Sequence, residues 1–112
     1  LKSDKKKHYA ELPPVEKFIK GQHPEVIAEY RTIVAELERE GRLSMPKAEK
    51  IEGKNLFAIR VIDTANIRVF YIYGRNDCVY GIHAYTKKTQ KIPLNEIRYA
   101  LKIAKALIAG GK

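Results

Sequence analysis

Val26, Ile27, Tyr30, Ile33, Val34 and Leu37 recur along one helical face, and this spacing predicts a helix through "HPEVIAEYRTIVAELEREG". Pro24 suits its first turn and Gly41 its C-terminal cap. Just before it, "PPVEKFIKG" predicts a short helix, with Pro14 tolerated in the first turn and Gly21 as the stop. The two should form a helical hairpin with one apolar side. "HYAEL", residues 8–12, reads as a short strand after a basic start, residues 1–7, expected to be mobile.

The pattern changes after residue 41. "RLSMPKAEKIEGKN" has no clear period and holds Pro46 and Gly53, so it reads as a connecting loop. "LFAIRVI" (56–62), "IRVFYIY" (67–73) and "VYGIHAY" (79–85) are rich in β-branched and aromatic residues, and "DTAN" and "GRNDC" between them are turn chemistry. Such short gaps imply antiparallel hairpins, hence a three-stranded meander. From Pro93, a stripe of Leu94, Ile97, Leu101, Ala104, Leu107 and Ile108 predicts a last helix, ended by Gly110 and Gly111. The expected architecture is α+β: an N-terminal helical hairpin packed on a small antiparallel β-meander, with a C-terminal helix and one sheet face covered.

Alternation along each strand sorts the side chains. Phe57, Ile59 and Val61 oppose Leu56, Ala58, Arg60 and Ile62; Ile67, Val69, Tyr71 and Tyr73 oppose Arg68, Phe70 and Ile72. In the third run Tyr80, Ile82 and Ala84 oppose Val79, His83 and Tyr85. With the apolar rows against the helices, Arg60, Arg68, His83 and Tyr85 share the open face, provided that no strand slips by a residue.

Length adds that the 112 residues form a single domain. One cysteine, Cys78, excludes an internal disulfide, and the scattered His8, His23 and His83 lack ligand spacing, so no metal and no cofactor is expected. No apolar run approaches membrane-spanning length and the start lacks the core of a signal peptide, which predicts a cytoplasmic chain. Since the sequence begins without Met, its true start is expected to be processed or to lie upstream.

Charge gives the first hint of a partner. The formal balance is +9, and from residue 84 onward Lys87, Lys88, Lys91, Arg98, Lys102, Lys105 and Lys112 stand against Glu96 alone. A polyanion is expected: nucleic acid, an anionic membrane surface or an acidic protein. The membrane reading is the weakest, because the basic last helix needs its apolar stripe for the core. Each candidate residue keeps two readings: His83 is either a hydrogen-bonded structural histidine or a proton carrier, Tyr85 either a core-edge residue or a base-stacking one. Lys87, Lys88 and Lys91 are either solubilising charge or a phosphate-binding patch, which Lys54 would extend.

In "ELPPVEKFI", "KIEGKNLFAIRV", "IRVFYIY" and above all "GIHAYTKKTQKIPLNEIRYAL", the chain resembles the RelE-like toxins of type II toxin–antitoxin pairs, in their phage-derived HigB-like branch. The last block carries the branch's His-x-aromatic step, lysine pair, Thr, Pro and Glu-Ile; Gly53, Leu56, Arg60 and the Arg-x-x-Tyr of Arg68 and Tyr71 also match. One departure is Ala58, where relatives commonly carry Glu; if that Glu orients Arg60, its loss leaves the guanidinium freer.

The resemblance implies a RelE-like fold and a toxin that enters the ribosomal A site, cleaves messenger RNA and is inhibited by an antitoxin, often of helix-turn-helix type. Metal-free cleavage by 2′-OH attack needs the phosphate charge neutralised and protons moved. Arg68 is the first candidate for holding the scissile phosphate, with Arg60 and Lys87 or Lys88 sharing that role. His83, Tyr85 or a lysine would move the protons. Two rivals stay open: a ParE-like inhibitor of DNA gyrase on the same fold, and a non-enzymatic nucleic-acid-binding domain.

Overall fold

The computed structural model describes residues 6–51 and 53–110; residues 1–5 of the expected mobile start and Gly111 of the expected helix stop lie outside the described residues. Lys7, also expected to be mobile, is fastened: its N–H donates to the Glu38 carbonyl at 2.8 Å and its ammonium lies 3.5 Å from Asp77.

Strand β1 (His8–Glu11) leads into helices α1 (Pro13–Lys20) and α2 (Pro24–Glu40). Each helix starts with Pro in its first turn, where no N–H is needed, and α2 ends on Gly41 at φ 81°. Four strands follow, β2 (Ala48–Lys50), β3 (Phe57–Val61), β4 (Ile67–Tyr73) and β5 (Cys78–Thr86), and then α3 (Leu94–Ala109). The sheet order is β1-β5-β4-β3-β2, antiparallel from β5 to β2 and parallel between β1 and β5. The meander is therefore the centre of a mixed five-stranded sheet among the described residues. Strand β2 lies in the segment expected to be a loop; its three residues show no apolar alternation, and pairing with β3 alone defines it. The β4–β5 hairpin turns on Asn76 and Asp77, at φ 55° and 59°, residue types that tolerate left-handed backbone.

Both sheet faces are covered, where one was expected. On one face Val15 and Ile19 of α1 and Val26, Tyr30, Ile33, Val34 and Leu37 of α2 pack on Ile59, Val61, Ile67, Val69, Tyr71 and Val79. On the other, Ala100 and Ala104 of α3, flanked by Ile97 and Leu101, pack on Leu56, Ala58, Phe70, Ile72 and Ile82. The physical cause is visible in "IRVFYIY": six of its seven residues are buried, and a strand apolar on both sides needs a layer on both sides. Leu94 and Ile108, placed on the buried stripe by periodicity, are instead exposed at the two ends of α3.

A bulge changes the facing of β5. Phe70 pairs with His83 but Tyr71 pairs with Gly81, so Ile82 is the extra residue. Strict alternation put Val79 with His83 and Tyr85, and Ile82 opposite. In the structure Val79 joins the α1/α2 core, while Ile82 and Tyr85 both belong to the α3 side.

Gly81, one residue before the bulge, has a steric role. A Cβ there would lie 2.2 Å from the Tyr9 hydroxyl and 2.8 Å from its ring carbon Cζ. That ring cannot yield cheaply, because the Tyr9 hydroxyl bonds to Tyr30 at 2.7 Å, Tyr30 donates to Glu11 at 2.6 Å, and Arg31 donates to Glu11 at 3.0 Å. Gly81→Ala is expected to destabilise the fold by about 1–3 kcal/mol through overpacking. Urea denaturation checks it; an unchanged midpoint would refute the steric role.

Candidate active site

The short β3–β4 and β4–β5 connections set Arg60 opposite Arg68, and Arg68 opposite Tyr85. Three neighbouring strands thus place two guanidiniums and a phenol in one cross-strand row, on the sheet face against which α3 packs. Arg68 is 3% exposed, the one buried charged side chain among the described residues, and Tyr85 is 8% exposed. Arg60 is partly exposed, so it forms the rim and the other two the floor.

Each arginine is tethered through Nη1. Arg60 donates to the Pro46 carbonyl at 3.0 Å; Arg68 donates to Asn66 Oδ1 at 3.1 Å and to the Ile67 carbonyl at 3.3 Å. A single carboxylate oxygen, Glu49 Oε1, stands 3.4 Å from Arg60 Nε and 3.5 Å from Arg68 Nε. These are ion-pair contacts rather than hydrogen bonds. Among the described residues Arg60 Nε, Arg68 Nε and the Tyr85 hydroxyl are buried without a hydrogen-bond partner. Two of these three atoms face the Glu49 carboxylate, and the row as a whole gathers two cations and a phenol against a single anion, an excess of positive charge that suits an anionic ligand.

The electrostatics agree. Burial first, and the neighbouring Arg60 second, press the Arg68 guanidinium below its usual value, while Glu49 pulls the other way. It stays charged near neutrality and is poorly hydrated, which strengthens its field on any anion brought close. Burial pushes the Tyr85 phenol up to about 12, against the opposing pull of Arg68. Tyr85 is therefore a neutral phenol at neutral pH.

His83 shares the face but not the row. Its Nε2 lies 2.5 Å from Glu96 Oε1, and its ring stacks near Phe70 and Tyr85 and meets the Tyr99 edge at 4.7 Å. It borders a separate hollow of about 360 Å³ with Leu12, Phe18, Ile82 and Tyr99. That arrangement is a hydrogen-bonded, stacked histidine linking β5 to α3.

Lys87 is joined to the row through its backbone. Its N–H donates to the Asn66 carbonyl at 2.7 Å, and Asn66 Nδ2 donates to the Lys87 carbonyl at 2.8 Å. Asn66 therefore touches both Arg68 and Lys87. Lys88 and Lys91 follow, exposed, in the loop before α3. Lys54 is not brought to this end: it precedes β3, whose first residue pairs with Tyr71, so it sits at the opposite end of the sheet from Arg60. Glu49, Asn66 and Glu96 are the residues that strand alternation did not single out. The tightness of the "DTAN" turn was the only local sign for Asn66.

The loss of Glu at position 58 was expected to leave Arg60 freer. Instead Glu49 lies directly opposite Ala58 across β2 and β3, and its carboxylate reaches the guanidinium from there.

Among the described residues no group of three or more His, Cys, Asp or Glu is placed to hold a metal ion, and no helix is long and apolar enough to cross a membrane. No curated protein matches the chain. Residues 17–105, which span half of α1, all of α2, strands β2 to β5 and most of α3, match the family described as phage-derived protein Gp49-like (DUF891). With most of its length matched, the site included, the chain belongs to the phage-derived Gp49-like family.

Proposed function

We propose that this protein is the toxin of a type II toxin–antitoxin pair, of the RelE-like kind and its HigB-like branch, and that it cleaves messenger RNA on the ribosome. The carrying observation is the row of Arg60, Arg68 and Tyr85 on adjacent strands, two guanidiniums sharing one carboxylate beside a buried phenol hydroxyl that has no hydrogen-bond partner. A phosphodiester is the anion that this spacing and the +9 charge suit best.

In the proposed reaction the 2′-oxygen attacks the adjacent phosphorus as its proton passes to water, and the P–O5′ bond breaks as the leaving oxygen takes a proton from Tyr85 or water, leaving a 2′,3′-cyclic phosphate and a 5′-hydroxyl. Two negative charges gather on the equatorial oxygens as the phosphorane forms, and Arg60 from the rim and Arg68 from the floor offset them. Tyr85, held neutral, donates to an equatorial or departing oxygen. Lys87, fixed by Asn66 beside Arg68, adds charge, and Lys88 and Lys91 track the flanking backbone. His83, with Nε2 given to Glu96, holds the aromatic stack that sets Tyr85. The partners on this reading are the ribosome, messenger RNA and an antitoxin, of helix-turn-helix type by the resemblance, whose acidic surface would cover this basic one.

The test is to map RNA 5′ ends after the protein is induced alone. New ends inside translated messages are expected. RNA binding with no new ends would overturn the reading in favour of a non-enzymatic binding domain.

A further inference from the structure

We propose that Glu49 is the positioning residue of the arginine pair, a role that rests on the nuclease reading above. Arg60 and Arg68 are register partners, so two guanidiniums of like charge meet across one strand gap, and Arg68 is almost wholly buried. Left to themselves they would repel and turn apart. The carboxylate on β2 prevents this: one oxygen stands 3.4 and 3.5 Å from the two Nε atoms, so one negative charge is shared by two cations.

The tethers on Nη1, to Pro46 and to Asn66, fix each guanidinium at a second point. With Nε turned to Glu49 and Nη1 turned to a neutral oxygen, the planes of both groups are set, and the Nη2 groups are left for a phosphate. A carboxylate that reached only one arginine would not fix their spacing. The role belongs to Glu49 because of its place in the sheet: its partner across β2–β3 is Ala58, two residues from Arg60, so the side chain projects on the arginine face. It touches the arginines rather than the reacting atoms, hence positioning and not catalytic.

The consequence is a separation of binding from turnover. Losing Glu49 leaves the site more positive, so RNA affinity does not fall, but the guanidiniums lose their common orientation. Glu49→Ala is expected to lower kcat on translated message about 100-fold with KM unchanged or lower. Arg Nε–Hε NMR signals of the 112-residue chain read the same point without any cleavage, using a single-stranded DNA hexamer as an uncleavable probe. Separate, probe-responsive signals for Arg60 and Arg68 in the wild type are expected to collapse to exchange-averaged ones in Glu49→Ala. Placing the carboxylate on the facing strand, as Glu49→Ala with Ala58→Glu, is expected to restore at least about tenfold of the lost kcat.

Unchanged kcat in Glu49→Ala, or arginine signals identical to wild type, would overturn the proposal. So would a rise in KM that accounts for the whole loss. If the doubly substituted chain melts early because Ala58 is buried, the NMR comparison of wild type with Glu49→Ala decides. A wild type that cleaves no RNA would sink the nuclease reading, while the arginine signals still answer for Glu49.

Discussion

Arg68→Ala should abolish growth arrest and lower RNA cleavage by about 10²–10³-fold, the range for removing a preorganised charge from a buried site. The fold should survive the change. Truncating one partner of a buried ion pair ordinarily leaves an uncompensated charge and costs several kcal/mol. Here one carboxylate serves two guanidiniums, so loss of Arg68 leaves Glu49 matched with Arg60. The main losses are the bonds to Asn66 and Ile67 and the space of one side chain. Arg68→Lys is the sharper control: it keeps the charge but not the planar fork that holds Asn66 and Glu49 together, and it should recover little activity. Mapping 5′ ends for the three proteins, with circular dichroism to verify folding, decides. A folded Arg68→Ala chain with full toxicity would remove Arg68 from the site and with it the row on which the proposed function rests.

How far the sequence alone leads to this site is instructive in its particulars. The period of two places Arg60 and Arg68 on one face because each is flanked by apolar neighbours whose facing is fixed by burial, and the short turns bring them into register. Tyr85 comes out on the right face by a less secure route. A bulge at Ile82 shifts the facing between Val79 and His83, and the one local mark of it in "VYGIHAY" is Gly81, a residue type that inside a strand often accompanies a bulge. The cover of α3 on the arginine face is legible in "IRVFYIY", a strand apolar on both sides.

Glu49 is harder. It lies in a three-residue strand with no hydrophobic pattern, and its meaning comes from a partner nine residues away. Asn66 belongs to a turn whose composition predicts a turn and no more; its link from Arg68 to Lys87 is tertiary. The parallel pairing of β1 with β5 is also invisible locally, because four residues can add to either edge of a sheet. What periodicity delivers is facing. Which facing residues touch one another is decided by register and by the ends of strands, and there the sequence carries little signal.

The second large effect concerns the form of the substrate. Purified protein is expected to cut translated message at least about 100-fold faster than the same RNA free in solution. The reason is the size of the site. Arg60, Arg68 and Tyr85 span two strand gaps, roughly 10 Å at about 4.8 Å per gap, which is room for a single phosphate and its immediate neighbours. The whole molecule measures 33 × 28 × 25 Å, and the cations beyond the row, Lys88 and Lys91, are on an exposed loop. Such a site offers charge for one phosphorane but no extended groove to order several nucleotides. In-line attack requires the 2′-oxygen, the phosphorus and the leaving oxygen to be aligned, an arrangement that free single-stranded RNA visits rarely. Orientation of reacting groups is worth several kcal/mol when it is supplied in advance. A messenger held codon by codon in the ribosome arrives with its backbone already constrained, so the ribosome supplies what the small domain lacks. The comparison needs one message, assayed free and in a translating extract, with ends mapped in both. Equal rates would mean that the protein orders RNA by itself, and the ribosome would then drop out of the mechanism, while the charge of the Arg60–Arg68 row would remain to account for the cleavage.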